Sequence, residues 1–229
     1  MIEAENSLSS KLRGRLVGAD SPSTVSARVR ARRWDMFSAY FPDVSGMRVL
    51  DLGGTVSTWK NAPVRPVEVV LVNLKDQREN SLLDWMTAFV ADACALPAEV
   101  RSQRFDLVYS NSVLEHLGGH ARREAFAASV HDAAPRHWVQ TPYRYFPIEP
   151  HWLFPAFQFL PVGVRAAVTR RWKVGNRRAP RRPLDAAVSS VLGIELLSKV
   201  EMQHYFPQSQ IAYERFCGLV KSLIAVKTA

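Results

Sequence analysis

Apolar positions along this chain follow two different periods. Between residues 26 and 41, Val29, Trp34, Phe37 and Tyr40 recur at three- to five-residue intervals among arginines, the pattern of one buried helix face. Phe41-Pro42-Asp43 ends that helix, because proline removes a backbone donor and restricts the residue before it. The period then shortens. Residues 47–52, 67–74, 88–91, 105–110 and 137–140 are short, nearly continuous apolar runs, as expected of strands covered on both faces. Residues 120–134 read as a helix between the fourth and fifth runs. Strands alternating with helical or irregular connections predict an α/β fold around a mostly parallel sheet.

The tail has another rhythm. Ser198-Lys199-Val200-Glu201 has capping-box spacing and predicts a short helix ending near Phe206-Pro207. Residues 211–217 and 222–226 then read as two strands joined through Gly218, so the sheet should carry one reversed hairpin. Residues 142–187 fit neither rhythm and are expected to be an insertion after the fifth strand. Its first half is aromatic and proline-rich; its second carries Arg170, Arg171, Lys173, Arg177, Arg178, Arg181 and Arg182. We expect a single domain over 1–229, with 1–25 a loosely ordered lead-in and 26–42 an N-terminal helix.

Composition narrows this only a little. The formal charge of +9 matters if it is clustered, as it is in the run from Arg170 to Arg182. That run lacks interleaved aromatics, so no nucleic-acid partner is expected. Cys94 and Cys217 lie in apolar runs without metal-like spacing and are expected to be reduced, buried thiols. No signal-peptide core and no membrane span is visible, which points to the cytoplasm.

Polar residues punctuate the ends of the strand-like runs. Asp51-Leu52-Gly53-Gly54-Thr55 follows the first, where glycines let the backbone turn sharply against a ligand and the carboxylate can accept from an ammonium group. Asn73 ends the second, in reach of ribose hydroxyls; Asp92-Ala93 follows the third, where an acid can accept from an exocyclic amine. The fourth delivers Asn111, then Glu115-His116, to the carboxyl edge of the sheet, where open α/β sheets bind ligands.

In this order and spacing, residues 48–117 resemble the class I S-adenosylmethionine-dependent methyltransferases, in particular their broad type 11 group. The resemblance implies a Rossmann-like seven-stranded sheet with a reversed last hairpin, in agreement with the tail. It implies S-adenosyl-L-methionine as cofactor, with Asp51, Gly53 and Gly54 about the methionine moiety and Asn73 at the ribose. Asp92 and Ala93 would meet the adenine, and Asn111 the methionine or the transferred methyl. Two positions depart from the family pattern: Val56 or Ser57 stands where a further glycine is usual, and Asn73 where the ribose-binding residue is usually acidic.

Methyl transfer to oxygen requires a held acceptor and a route for its proton. The candidates gather after strands four and five. His151, beside Glu149 in a proline-stiffened aromatic segment, is the expected general base; His116 is a second catalytic candidate, although it is common at this position in the type 11 group. Glu115, His116, Glu149 and His151 could also hold Mg²⁺ or another divalent ion. His131 and His137 read as surface and strand-edge residues. Tyr143, Tyr145 and Trp152 are candidates for stacking on a sugar ring, or else core of the insertion.

The segment Tyr143–Trp152 further resembles methyltransferases of bacterial envelope and polysaccharide pathways, and the variant glycine loop and arginine-rich composition look actinobacterial. The leading expectation is therefore an O-methyltransferase of a small-molecule or oligosaccharide acceptor. A lipid or quinone-like acceptor and, from a different class, a basic nucleic-acid-binding protein or non-catalytic module are the alternatives. Peripheral contact with anionic lipid through the basic run, and a homo-oligomer, are compatible with the pattern.

Overall fold

Five runs without a polar side can only be strands sandwiched between two layers, and the chain builds that sandwich. The computed structural model describes residues 25–78, 81–171 and 183–229. In chain order, α1 (Val25–Tyr40) leads through a single 3₁₀ turn into β1 (Arg48–Leu52). Then come α2 (Val56–Lys60), β2 (Glu68–Asn73), β3 (Met86–Val90), α3 (Ala98–Arg101) and β4 (Leu107–Asn111). After a 3₁₀ turn, α4 (His120–Ala133) crosses to β5 (Arg136–Pro142). The excursion that follows contains β6 (Ile148–Glu149), β7 (Phe154–Pro155), α5 (Val162–Arg171) and α6 (Leu184–Leu192). The chain ends in α7 (Lys199–Tyr205), β8 (Gln210–Phe216) and β9 (Leu219–Lys227).

Seven strands form one sheet in the order β3-β2-β1-β4-β5-β9-β8. β1 to β5 pair in parallel, and β9 pairs antiparallel with both β5 and β8. The strand order reverses between β1 and β4, which opens a crevice at their carboxyl ends. Alternate residues of each strand feed two cores. Leu50, Leu52, Val70, Val108 and Val139 pack under Phe126 and Val130 of α4 and Met202 of α7. Val49, Val69, Leu71, Tyr109 and Trp138 pack under Phe37 of α1 and Trp59 of α2.

The expected fold class holds, with shifted element ends. β5 runs on to Pro142 because β9 pairs with it as far as Ser222. The excursion closes at Leu197, which bridges Tyr143, rather than at 187. The hairpin turns at Cys217 and Gly218, whose φ angles of 49° and 80° match a two-residue turn with both centres left-handed. This corrects the expectation for Cys217, which is exposed at that turn; Cys94 is half-buried, and both thiols are free. His137 is also not at a strand edge. It is fully buried inside the sheet, donating to or accepting from Ser209 Oγ at 2.7 Å, and burial pushes its pKa down to about 3. The expected lead-in falls almost wholly outside the described residues, as do Lys173, Arg177, Arg178, Arg181 and Arg182. No helix among the described residues is long and apolar enough to cross a membrane.

The capping box predicted at Ser198 is formed: Ser198 Oγ accepts from the Glu201 amide, and Glu201 accepts from the Ser198 amide at 2.8 Å. Ser198→Ala should therefore cost about 1 kcal/mol in urea unfolding without altering the far-UV spectrum.

Candidate functional site at the β1–β4 crevice

The turn after β1 is built around a buried acid. Asp51 is 1 % exposed, and its carboxylate lies directly beneath Gly54, where any Cβ would overlap it. Gly53 adopts φ +82°, and a side chain there would overlap Val113. Both glycines are therefore required by close approach, and Gly53 also by its left-handed backbone. Trp59 Nε1, on α2, donates to Asp51 Oδ2 at 2.7 Å. Burial pushes its pKa up to about 7, only partly opposed by that indole donor.

Asn73 explains one departure from the family pattern. Its amide nitrogen donates to the carbonyls of Gly53 and Gly54, at 3.0 and 2.9 Å, while its oxygen accepts from the Lys75 amide at 3.0 Å. A carboxylate could not make the first two bonds, so the amide pins the glycine loop. At the next strand end, Asp92 accepts from the Cys94 amide and is gripped by both oxygens by Arg122, at 2.9 and 2.8 Å. Partial burial works against its charge, but these donors outweigh it and hold the carboxyl below the usual range. Ala93 is buried beside it.

Asn111 ends β4 with its nitrogen donating to Tyr109 Oη and its oxygen buried without a partner. It lines a cavity of about 610 Å³ with Trp34, Ser57, Thr58, Asn61 and Tyr109, between α1 and α2. Trp34 stacks on Tyr109 with rings 5.6 Å apart, so the N-terminal helix closes this side.

From Asn111 the chain passes Ser112, held at φ +55°, and Val113 against Gly53, then reaches Glu115 and His116. Here the structure assembles residues from two distant segments. Glu115 is fully buried; one oxygen accepts from Thr141 at 2.9 Å, and the other, Oε1, has no hydrogen-bond partner among the described residues. His116 Nε2 lies 3.9 Å from that oxygen. His151 meets His116 edge to face with ring centres 5.0 Å apart, and its Nδ1 bonds Glu149 Oε1 at 2.6 Å. Glu149 is 1 % exposed, and its second oxygen accepts from the amides of His151 and Trp152. One ligand atom each from Glu115, His116 and His151 fall within 4.8 Å of one another.

Their electrostatics differ. Burial raises the pKa of Glu115. Burial and the neighbouring His151 lower that of His116. Burial alone would lower His151, but Glu149 and Glu115 outweigh it and raise its pKa.

Other expected residues are placed differently. Trp152 is 2 % exposed and packs face to face with Phe157 and against Val191, as core of the excursion. Tyr143 is half-buried, whereas Tyr145 is exposed and stacks on exposed Phe159. His120 and His131 lie on the outer surface of α4.

Three positioning residues escaped the sequence reading. Thr141 fixes the Glu115 carboxylate. Buried Arg123 of α4 donates to Leu114 O and to Glu195 Oε2, tying the β4 loop to the end of the excursion. Glu195 returns a backbone bond to Glu115 O at 2.9 Å. Only Thr141, just before the proline that ends β5, carried a readable signal.

The sequence matches no protein-family model and no curated protein. Solved structures share the fold. The S-adenosylmethionine-dependent methyltransferase from Mesorhizobium loti aligns with TM-score 0.51 at 18% identity, over 85% of this chain and 96% of its own. DhpI in complex with SAH aligns with TM-score 0.54 at 16% identity, over 96% and 94%. The N-terminal domain of EvdMO1, in the presence of SAH and D-fucose, gives 0.53 at 14% identity, over 99% and 96%. The chain therefore has the Rossmann-like methyltransferase fold.

Two outcomes follow from the loop. Asn73→Asp sets a carboxylate against two carbonyls and should destabilise the protein by about 1–3 kcal/mol in urea titrations. Asp51 carries a raised pKa in the folded state, so its contribution is stabilising at low pH and is lost as pH rises from the unfolded value of 3.8 through about 7. Asp51→Asn should remove that loss, leaving the ligand-free protein about 2–4 kcal/mol more stable than the parent at pH 8 and little changed near pH 4 in urea titrations.

Proposed function

We propose that this protein is an S-adenosylmethionine-dependent O-methyltransferase whose acceptor is a saccharide hydroxyl. The observation that carries this reading is the buried Asp51 carboxyl beneath the Gly53–Gly54 turn: among the described residues its donor is the neutral Trp59 indole, and an amino acid's ammonium group would supply a cation. The orphaned Asn111 Oδ1 is a second acceptor suited to the same group. Asp92 and Ala93 stand at the adenine end, and Asn73 acts on the ribose end through the loop it pins.

When bound, S-adenosylmethionine supplies a methyl group on a positively charged sulfur, which an acceptor oxygen displaces in line. The chain's own share is to hold the acceptor and deal with its proton. Glu115, His116, Glu149 and His151 do this at the far end of the β4 loop. His151 is the residue on which turnover depends: Glu149 holds its Nδ1, so Nε2 is the nitrogen left to act.

The exposed Tyr145–Phe159 stack supports a saccharide, since such faces pack on sugar rings. A neighbour of the same fold studied with D-fucose is consistent with it. The narrowest form of this reading is actinobacterial polysaccharide or envelope biosynthesis, and within it a mycobacterial sugar 1-O-methyltransferase of the methylmannose-polysaccharide pathway. A lipid or quinone-like acceptor is favoured instead by one feature, an apolar cavity of about 430 Å³ lined by Phe154, Val164, Ala167 and Val168.

A methyl-transfer screen with labelled cofactor over mono- and oligosaccharides and lipids separates these acceptors. His151→Ala should retain cofactor affinity by calorimetry and lose turnover by roughly 10²-fold or more. Undetectable binding of S-adenosylmethionine to the parent protein would sink the enzyme reading.

A further inference from the structure

The cluster at the end of the β4 loop has a composition that proton transfer alone does not explain. A single base needs one nitrogen and one orienting acid, and His151 with Glu149 already provides both. Glu115 and His116 are additional. Glu115 is fully buried, yet its Oε1 has no hydrogen-bond partner, an arrangement that costs free energy unless something positive fills it.

That oxygen is aimed at two imidazoles. His116 Nε2 is 3.9 Å away, and the ligand atoms of Glu115, His116 and His151 are mutually within 4.8 Å. Such separations suit three groups around one ion, whose ligand bonds of about 2.0–2.2 Å place neighbouring ligands roughly 3 Å apart after a small closure. His151 is oriented from behind by the Glu149 carboxylate, whose Oε1 lies 2.6 Å from Nδ1. Carboxylates and carbonyls behind histidines in this way are the usual outer support of metal ligands. The carboxylate of Glu115 is itself fixed by Thr141, and its backbone by Glu195.

We infer that Glu115, His116 and His151 bind a divalent first-row cation, held on one side so that the remaining positions face the acceptor. Two imidazoles with one carboxylate favour Mn²⁺, Fe²⁺ or Zn²⁺ over Mg²⁺, which prefers oxygen and retains its water. The inference rests on the methyltransferase reading for its purpose. An acceptor hydroxyl coordinated by the ion becomes more acidic; its O–H bond breaks, the proton passes to water, and the electron pair stays on oxygen. His151 then serves as a ligand, and Glu149 as the residue positioning it.

The test needs no substrate. Mn²⁺ is added to the full-length protein and followed by calorimetry and by loss of the free-ion electron paramagnetic resonance signal. One ion per chain is expected. Glu115→Gln and His116→Ala should each weaken binding at least tenfold; the second lies on a half-exposed side chain and is expected to fold even if the first does not. Glu149→Gln should weaken it about tenfold through His151. His204→Ala, in the separate exposed group His120, Glu124 and His204, should leave it unchanged. No Mn²⁺ or Zn²⁺ binding by the parent, or binding that survives His116→Ala and is lost in His204→Ala, overturns the inference. Calorimetry with S-adenosylmethionine in the absence of metal reports on the methyltransferase reading separately: cofactor binding without metal leaves that reading standing, and metal binding without cofactor the reverse.

Discussion

Burying the Asp51 carboxylate under a backbone turn constrains everything around it. The acid sits so close to Gly54 that no side chain fits there, and at left-handed Gly53 a side chain would overlap Val113. A loop of that kind has little of its own to hold it, so Asn73 clamps both of its carbonyls from the neighbouring strand. The one indole donor to the acid comes from α2, and that indole packs against Trp34 of α1, whose ring in turn covers Tyr109 on β4. A single buried carboxyl thus links the glycine turn, two helices and β4.

The second half of the site depends on a different anchor. The segment after β4 leaves the sheet through Val113 and must present Glu115 and His116 without strands on either side. Arg123, almost wholly buried in α4, holds Leu114 by its carbonyl and Glu195 by its carboxylate. The excursion after β5 is thereby fastened to the β4 loop at one end, while Glu149 fastens His151 at the other. The two anchors meet at Val113, which touches the glycine turn two residues before the first acid of the cluster.

Much of this was legible in the sequence because burial on both faces leaves an unmistakable run of apolar residues, and because glycines and acids at strand ends have few other uses there. The mostly parallel sheet, the reversed hairpin and the capping box at Ser198 could be read from such local signals. So could the four residues Glu115, His116, Glu149 and His151, as candidates. That Glu115 lacks a partner for one oxygen, or that His116 and His151 meet at all, is a matter of tertiary packing between segments far apart in the chain, and no local pattern encodes it. Local reading also failed where a residue type was taken as its own evidence. Cys217 looked like core and is the exposed corner of a hairpin, while Trp152, read as either a sugar platform or core of the insertion, lies in the core. Asn73 was read for its place at a strand end, and nothing local told that its amide would clamp both glycine carbonyls.

The position of β9 has a consequence for how the molecule comes into being. Its residues, 219–227, are the last to be laid down in the sheet, yet β9 lies between β5 and β8 and hydrogen-bonds to both. During synthesis β1 to β5 can associate as soon as they emerge, but β8 has no neighbour until β9 exists. The Cys217–Gly218 turn lets the pair form locally first and dock as a ready-made ribbon along β5. Until that docking, β5 shows a long bare edge to the cell, and the nascent chain is most exposed to mispairing at the very strand that carries Thr141 into the site.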